Sequence, residues 1–220
     1  MNAPTPLRGI IFDMDGVLVD SEPFICEAAM RMFEQTYGQV VKREDFIPFV
    51  GAGEDRFIGG VAEKYGIELS MPRDKFRTYE IYLDIIRGRL DPLPGAVEFV
   101  RATRTRGLKS AVATSADRVK MEGNLREIAL APADFDAVVT GDDVAKKKPD
   151  PEVFLLASSR MALPPAACLV IEDAPNGVRA AKAAGCRCLG LTSSFTEETL
   201  REAGADWVAR DLTVVPPEVV

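Results

Sequence analysis

The sequence feature that most constrains the fold is a short apolar segment that ends in two aspartates. Residues 9–16 read Gly-Ile-Ile-Phe-Asp-Met-Asp-Gly, and the run from Ile10 to Phe12 predicts a buried strand. Side chains alternate along a strand, so Asp13 and Asp15 can face the same crevice at its end. Two close carboxylates repel each other unless a cation lies between them or one is protonated. Because open parallel sheets bind ligands at this edge, the pair predicts a functional site; the alternative is a polar loop that happens to contain two aspartates.

The next part of the chain has the pattern of helices. Apolar residues recur at helical spacing in residues 22–37, 54–65 and 72–87, and no strong strand pattern appears between residues 20 and 88. A segment rich in proline and glycine follows at residues 87–95 and predicts a boundary.

Beyond this boundary, predicted helices and strands alternate. The predicted strands cover residues 108–113, 137–140, 168–171, 187–191 and 207–208, and the predicted helices cover residues 95–106, 117–129, 151–161, 176–184 and 196–203. This alternation predicts an α/β fold with a doubly wound parallel sheet. Since the first strand has no partner before residue 108, we expect a core of residues 1–19 and 89–220 with the helical residues 20–88 inserted. Residues 213–220 are expected to form a loosely attached tail.

The ionisable side chains of the sequence limit which reactions the protein can catalyse. The chain contains no histidine, which excludes Ser-His-Asp hydrolysis, Cys-His catalysis and histidine-ligated metals. Acidic residues outnumber basic ones by 34 to 27, giving a formal charge of -7, which argues against a nucleic-acid partner. A reaction must therefore use carboxylates, hydroxyls, lysine and arginine, and oxygen-ligated Mg²⁺ fits this set.

Three further patterns concern the location of the protein and its capacity to bind zinc. No apolar run approaches the roughly 20 residues needed to span a bilayer, and the first residues, Met-Asn-Ala-Pro-Thr-Pro, lack the pattern of a signal peptide. Cys186 and Cys188 are separated by one residue, which is not a common zinc-ligand spacing. We therefore expect a cytoplasmic protein with no membrane partner.

Polar side chains also follow two other predicted strands. Thr114 and Ser115 lie between a strand and a helix, where they can cap the helix or, with backbone N–H groups, hold phosphate oxygens. Lys148 lies in Lys-Lys-Lys-Pro, which is either solvated surface or the source of a cation that offsets nearby carboxylates and an anionic substrate.

A second acidic pair ends the strand predicted at residues 168–171. Glu172 and Asp173 follow it directly, and Asp173 could simply cap the next helix. Because the carboxyl ends of parallel strands meet at one edge of a sheet, this pair can instead join Asp13 and Asp15. The four acids would then form a Mg²⁺ site.

These stretches together resemble the motifs of the haloacid dehalogenase-like phosphatases, in the branch that includes β-phosphoglucomutase. Asp-Met-Asp-Gly-Val-Leu-Val-Asp-Ser-Glu at residues 13–22 is similar to the first motif, Thr114 to the second, Lys148-Pro149 to the third and Glu172-Asp173 to the fourth. The third motif is commonly Gly-Lys-Pro, and here Lys147 replaces its glycine. The resemblance implies a Rossmann-like core with a small all-helical cap domain inserted after the first motif.

The resemblance also implies a mechanism and its residues. Asp13 would attack phosphorus with Mg²⁺ bound and form an aspartyl-phosphate. Asp15 would protonate the leaving alcohol, deprotonate the attacking water, and bind the metal through its backbone carbonyl. Thr114, Ser115 and Lys148 would hold the phosphate. The metal residues would be Asp13, Asp15, Glu172 and Asp173.

The inserted helices should select the substrate. We expect Gly51, Glu54 and Arg77 to contact it, with Arg56 as a further candidate. In β-phosphoglucomutase an arginine of the corresponding loop binds a second phosphate, whereas this chain has Glu54 there. This favours a phosphatase acting on a small phosphorylated metabolite, and a β-phosphoglucomutase-like phosphomutase is the alternative.

Two other functions fit the motifs less well. A 2-haloacid dehalogenase lacks the aspartate that corresponds to Asp15, and a non-catalytic interaction protein would be expected to have lost at least one polar motif residue. None is lost here. We expect the phosphatase to be a monomer.

Overall fold

A parallel sheet forms the centre of the molecule. The computed structural model describes residues 5–49, 53–217 and 219, and within them six strands form one sheet in the order β3-β2-β1-β4-β5-β6. The strands β1 to β6 are Gly9–Phe12, Lys109–Ala113, Ala137–Val139, Cys168–Glu172, Arg187–Leu191 and Trp207–Ala209. All of their pairings are parallel, which confirms the predicted doubly wound sheet.

Helices cover both faces of this sheet. The helices α1 to α8 are Glu22–Tyr37, Glu54–Tyr65, Arg73–Ile86, Ala96–Thr105, Arg118–Glu127, Glu152–Arg160, Pro175–Ala183 and Glu197–Glu202. Ile10 and Phe12 of β1 pack with α4 and α5, whereas Ile11 packs with α6 and α7. The two-residue repeat of β1 therefore supplies both apolar layers, since all three side chains are fully buried.

The helices α1, α2 and α3 lie between β1 and α4 in the chain. The two connections to this segment run side by side: Val19 pairs with Pro92, and the Leu93 N–H donates to the Leu18 carbonyl at 2.9 Å. The chain thus leaves the sheet and returns to it at neighbouring points. This supports our proposal that residues 20–88 form a separate cap domain on a core of residues 1–19 and 89–220.

The C-terminal segment corrects one expectation. Residues 213–220 were expected to be a loose tail, but Val219 is only 3% exposed and packs against the main apolar cluster. The chain before it passes directly over Gly95, where an added Cβ would lie 2.7 Å from the backbone carbon of Leu212. Val219 therefore contributes to the core, and the partly buried Val215 packs against it. Among the described residues, no helix combines the length and apolar character needed to cross a membrane.

Candidate active site

The carboxyl ends of β1, β2 and β4 open into a cavity of about 330 Å³. Most of the side chains that the sequence analysis selected line it: Asp13, Asp15, Glu54, Thr114, Ser115, Lys148, Glu172 and Asp173. They meet because the strands are parallel and β1 lies between β2 and β4. The predicted crevice is therefore present, and it lies between the sheet and the inserted helices.

Asp13 is fixed directly at the end of β1. Its backbone N–H donates to the Ile171 carbonyl of β4 at 3.0 Å, and its carboxylate accepts a hydrogen bond from Lys148 Nζ at 2.6 Å. Only 7% of the residue is exposed. Burial raises the pKa of Asp13 and the charge of Glu172 adds to this rise, while Lys148 opposes it.

Lys148 joins two of the strand ends. Its ammonium group lies 2.6 Å from Asp13 Oδ1 and 2.7 Å from Glu172 Oε1. Burial alone would disfavour this charge, but the two carboxylates outweigh it and raise the pKa of Lys148 above its usual value. The neighbouring Lys147 instead donates to the Gly141 carbonyl at 2.7 Å. Within the Lys-Lys-Lys run, the structure thus brings Lys148 to Asp13.

Three buried carboxylates surround one position that suits a metal ion. One carboxylate oxygen from each of Asp13, Glu172 and Asp173 lies within 4.8 Å of the others. Glu172 Oε2 accepts hydrogen bonds from the N–H groups of Asp173 and Ala174, both at 2.8 Å. Burial raises the pKa of Asp173 strongly, and the charges of Glu172 and Asp13 raise it further. Three acids beside a single ammonium leave excess negative charge, which suits a hard divalent cation such as Mg²⁺.

Two glycines make room for these carboxylates. A Cβ on Gly16, whose φ is +76°, would lie 1.9 Å from Asp173 Oδ2. A Cβ on Gly177 would lie 1.7 Å from Glu172 Oε1. Both distances are far inside van der Waals contact, so each acid occupies the space that a side chain would need.

The carboxylate of Asp15 does not belong to the group of candidate metal ligands. Its Oδ2 accepts a hydrogen bond from Lys120 Nζ at 2.9 Å, and its Oδ1 accepts one from the hydroxyl of Ser21. Lys120 also lies 3.2 Å from Glu54 Oε1. The sequence analysis identified neither Lys120 nor Ser21.

Thr114 and Ser115 lie where β2 leads into α5. Thr114 is 1% exposed, and its Oγ1 accepts a hydrogen bond from the Ala116 N–H at 3.1 Å. The carbonyl of Ser115 lies 3.4 Å from Lys147 Nζ. Both residues line the cavity, so this turn is stabilised internally and is also placed to bind an anion.

The residues predicted to select the substrate have different positions. Glu54 is 8% exposed and pairs with Lys120; burial raises its pKa and Lys120 opposes the rise. Arg77 does not line the cavity: it is bonded to Glu80 at 2.9 Å and to Gln35 at 3.0 Å on the outer surface, so the structure corrects its placement. Gly51 lies outside the described residues.

Arg56 is also directed elsewhere. It pairs with Glu63 at 2.7 Å and lies over the ring of Phe49. Among the described residues that line the cavity, the cations are Lys120 and Lys148, and each is already paired with two carboxylates.

The sequence and the structure were both compared with known proteins. A family profile described as "Haloacid dehalogenase-like hydrolase" matches residues 10–191. The chain is 40% identical over 211 residues to the protein SUPPRESSOR OF QUENCHING 1, chloroplastic, of Arabidopsis thaliana; the match covers 94% of this chain and 20% of the plant protein, so the chain spans about a fifth of that relative.

Two bacterial proteins match along nearly their full length. The chain is 34% identical to a phosphorylated carbohydrates phosphatase of Thermotoga maritima, covering 97% of this chain and 96% of the relative. The crystal structure of CbbY from Rhodobacter sphaeroides in complex with phosphate superposes with a TM-score of 0.82 at 26% identity, covering 94% of this chain and 95% of that one.

Proposed function

The chain belongs to the haloacid dehalogenase-like hydrolase family, and from this premise we propose that it is a phosphoric monoester hydrolase, a Mg²⁺-dependent phosphatase for a small phosphorylated metabolite. One arrangement carries the proposal: Asp13 lies within hydrogen-bonding distance of Lys148 and beside Glu172 and Asp173. This arrangement supports Asp13 as the nucleophile, with a cation and candidate metal ligands beside it at one end of the sheet. The description of the Thermotoga maritima relative supports a phosphorylated sugar or a similar compound as substrate.

The charges of the site account for the need for a metal. A phosphate monoester is a dianion, and the carboxylates of the cavity would repel it. Asp13 and Asp173, with Glu172 beside them and the backbone carbonyl of Asp15, would hold Mg²⁺, which when bound would offset this negative charge.

The side chains then have separate roles in two steps. In the first, Asp13 attacks phosphorus, the bond from phosphorus to the ester oxygen breaks, and Asp15 gives its proton to that oxygen. Lys148 and Thr114 hold the oxygens of the phosphoryl group during transfer. In the second, Asp15 takes a proton from a water molecule that attacks the aspartyl-phosphate, which releases phosphate and restores Asp13.

The cap side of the cavity argues against the phosphomutase alternative. A mutase has to hold a bisphosphorylated intermediate and therefore needs a cation for the second phosphate. Here Glu22 and Glu54 line that side, and Lys120 is already paired with Asp15 and Glu54. Hydrolysis is therefore the proposed outcome.

The experiment is phosphate release from p-nitrophenyl phosphate and from a panel of phosphorylated sugars, with Mg²⁺ and with excess chelator. We expect Mg²⁺-dependent release that Asp13→Asn abolishes, because the amide is a poor nucleophile of nearly the same volume. Asp84→Asn is the matched control, since Asp84 is 77% exposed and, within the part of the chain that the structure describes, its ion pair is with a surface arginine. Full activity in chelator, or a few per cent or more of activity retained by Asp13→Asn, would refute the proposal.

A further inference from the structure

One buried lysine contacts the site but belongs to none of its recognised motifs. Lys120 lies in the first turn of α5, and its side chain is 5% exposed. Its ammonium group is 2.9 Å from Asp15 Oδ2 and 3.2 Å from Glu54 Oε1. The ring of Tyr82 from α3 lies 5.9 Å from the same nitrogen.

Burying the ammonium group of Lys120 is energetically unfavourable unless opposite charges lie close to it. Removing an ammonium group from water costs several kcal/mol, which only close opposite charges offset. The two carboxylates that provide this come from different parts of the chain: Asp15 follows β1 and Glu54 begins α2. One cation therefore links the proposed acid and base to the first residue of a cap helix.

The carboxylate of Asp15 is held by two side-chain donors. Its side chain is 33% exposed, and its described hydrogen bonds come from Ser21 at one oxygen and Lys120 at the other. A carboxylate has about four lone-pair positions, so both contacts can remain while Asp15 exchanges a proton with a substrate. Without Lys120, one oxygen loses its donor and the carboxylate is free to rotate away from the cavity.

We propose that Lys120 is the positioning residue for Asp15, holding its carboxylate in the orientation that protonates the leaving alcohol. The proposal rests on the phosphatase function proposed above. It assigns a role in proton transfer to a side chain that does not itself touch the phosphorus.

A second lysine provides a matched control. Lys75 of α3 also crosses between the inserted helices and the core, since it lies 2.8 Å from Asp117 and 2.8 Å from Asp55. It is 15% exposed and pairs with these two acids rather than with Asp15. Lys75→Met and Lys120→Met therefore each remove one cation from the same interface, but only Lys120→Met removes a contact to the acid.

The experiment compares two aryl phosphate esters of nearly the same shape whose leaving groups differ in how much they need to be protonated. Nitrophenolate is a much weaker base than phenolate, so p-nitrophenyl phosphate needs little protonation on leaving and phenyl phosphate needs more. With Mg²⁺ present, we measure kcat/KM for both. This parameter reports the steps up to the phospho-enzyme, so the later role of Asp15 as a base does not enter.

We expect Lys120→Met to lower kcat/KM for phenyl phosphate by about tenfold more than for p-nitrophenyl phosphate, as part of the 10²–10⁴-fold contribution of general acid catalysis. Lys75→Met should leave the ratio of the two values at its wild-type level. If Lys120→Met does not fold, Lys120→Gln is measured in the same way.

An equal loss for both substrates in the folded Lys120 variant would overturn the inference and leave the phosphatase function intact. A wild-type protein that, with Mg²⁺ present, hydrolyses neither ester nor any phosphorylated sugar of the panel would overturn the proposed function and this inference with it.

Discussion

Glu22 shows at the scale of single residues how the crowded acids of the cavity affect stability. It begins α1 and lines the cavity. Burial raises its pKa from 4.5 to about 7, with Asp15, Asp20 and Glu54 adding to the rise and Lys120 opposing it. The folded protein therefore keeps a proton on Glu22 at pH values where the unfolded chain has lost it.

This leads to a prediction about pH. Between pH 4.5 and pH 7 the folded state binds more protons at this position, so the contribution of Glu22 to stability falls as pH rises, by at most about 3 kcal/mol. Glu22→Gln removes this loss. Its free energy of unfolding relative to wild type should therefore increase across that interval and stay constant above it.

Urea unfolding in metal-free buffer at several pH values measures this difference. Glu34→Gln, at an exposed position of the same helix, is the control and should show no such trend. A stability difference between Glu22→Gln and wild type that does not vary with pH would contradict the prediction.

The limits of the sequence analysis are also clearest for single residues. Asp13, Thr114 and Asp173 could be selected because they follow predicted strands, and parallel strands end at one edge. Lys148 was selected through the resemblance of Lys148-Pro149 to the third family motif. Lys120 could not be selected from the sequence, because a lysine in a predicted helix is usually solvated. Its burial becomes evident only from the packing of α3 against α5.

Arg77 was placed wrongly for a related reason. The adjacent Thr78 and Tyr79 are buried, but helix geometry turns Arg77 towards solvent. The helical pattern identifies which face is buried and does not identify what covers it.

Among the helices and strands, the start of α7 supports the candidate metal ligand Glu172 through a glycine. Glu172 ends β4 and is held by Lys148 and by two N–H groups at the start of the next segment. Gly177 of α7 packs directly against that carboxylate. The close approach of strand and helix therefore depends on the absence of a side chain at residue 177.

We predict that Gly177→Ala lowers the affinity for Mg²⁺ by about 10–100-fold, as typically follows when groups supporting a metal ligand are disturbed. The new Cβ would overlap Glu172 Oε1, and the carboxylate cannot move without losing its own hydrogen bonds. Thermal unfolding at increasing Mg²⁺ concentrations measures the effect, because a bound ion raises Tm.

Gly59→Ala in α2 is the control, since nothing lies within 4 Å of its added Cβ. It should keep wild-type Mg²⁺ affinity and gain about 0.5–1 kcal/mol of stability from helix propensity. Wild-type Mg²⁺ affinity in Gly177→Ala would contradict the role given to this glycine.

The secondary structure elements were largely predictable. The predicted strand at residues 108–113 is Lys109–Ala113, and the helix predicted at 72–87 is Arg73–Ile86, because alternation and helical spacing were clear in both. The position of the C-terminal segment was not predictable, since the burial of Val219 depends on a surface formed by distant parts of the chain.

In the molecule as a whole, the cavity combines a proposed phosphate-binding end on the sheet with an acidic side formed by the inserted helices. Thr114 and Lys148 lie at the first, and Glu22 and Glu54 lie at the second. The order of the motifs along the sequence predicted the side of the cavity that lies on the sheet. The second depends on how the inserted helices pack on the core, and the pattern of apolar residues does not contain that information.

This asymmetry predicts hydrolysis without mutase activity. A second phosphate would face carboxylates instead of a free cation. When β-glucose 1-phosphate is supplied with a trace of its 1,6-bisphosphate, we expect free phosphate, or no reaction with this sugar, and no accumulation of glucose 6-phosphate. Formation of glucose 6-phosphate well above the rate of phosphate release would establish a mutase.

The covalent role of Asp13 is the central claim, and trapping its phosphorylated form tests it most directly. The enzyme is quenched during turnover of p-nitrophenyl phosphate with Mg²⁺ and treated with borohydride, which reduces an aspartyl-phosphate to homoserine. Mass spectrometry of the peptide that contains residues 9–16 should then show homoserine at position 13, and the untreated control should show aspartate. Continued phosphate release with only unmodified Asp13 in the reduced peptide, or with the modification at another acid, would contradict this account.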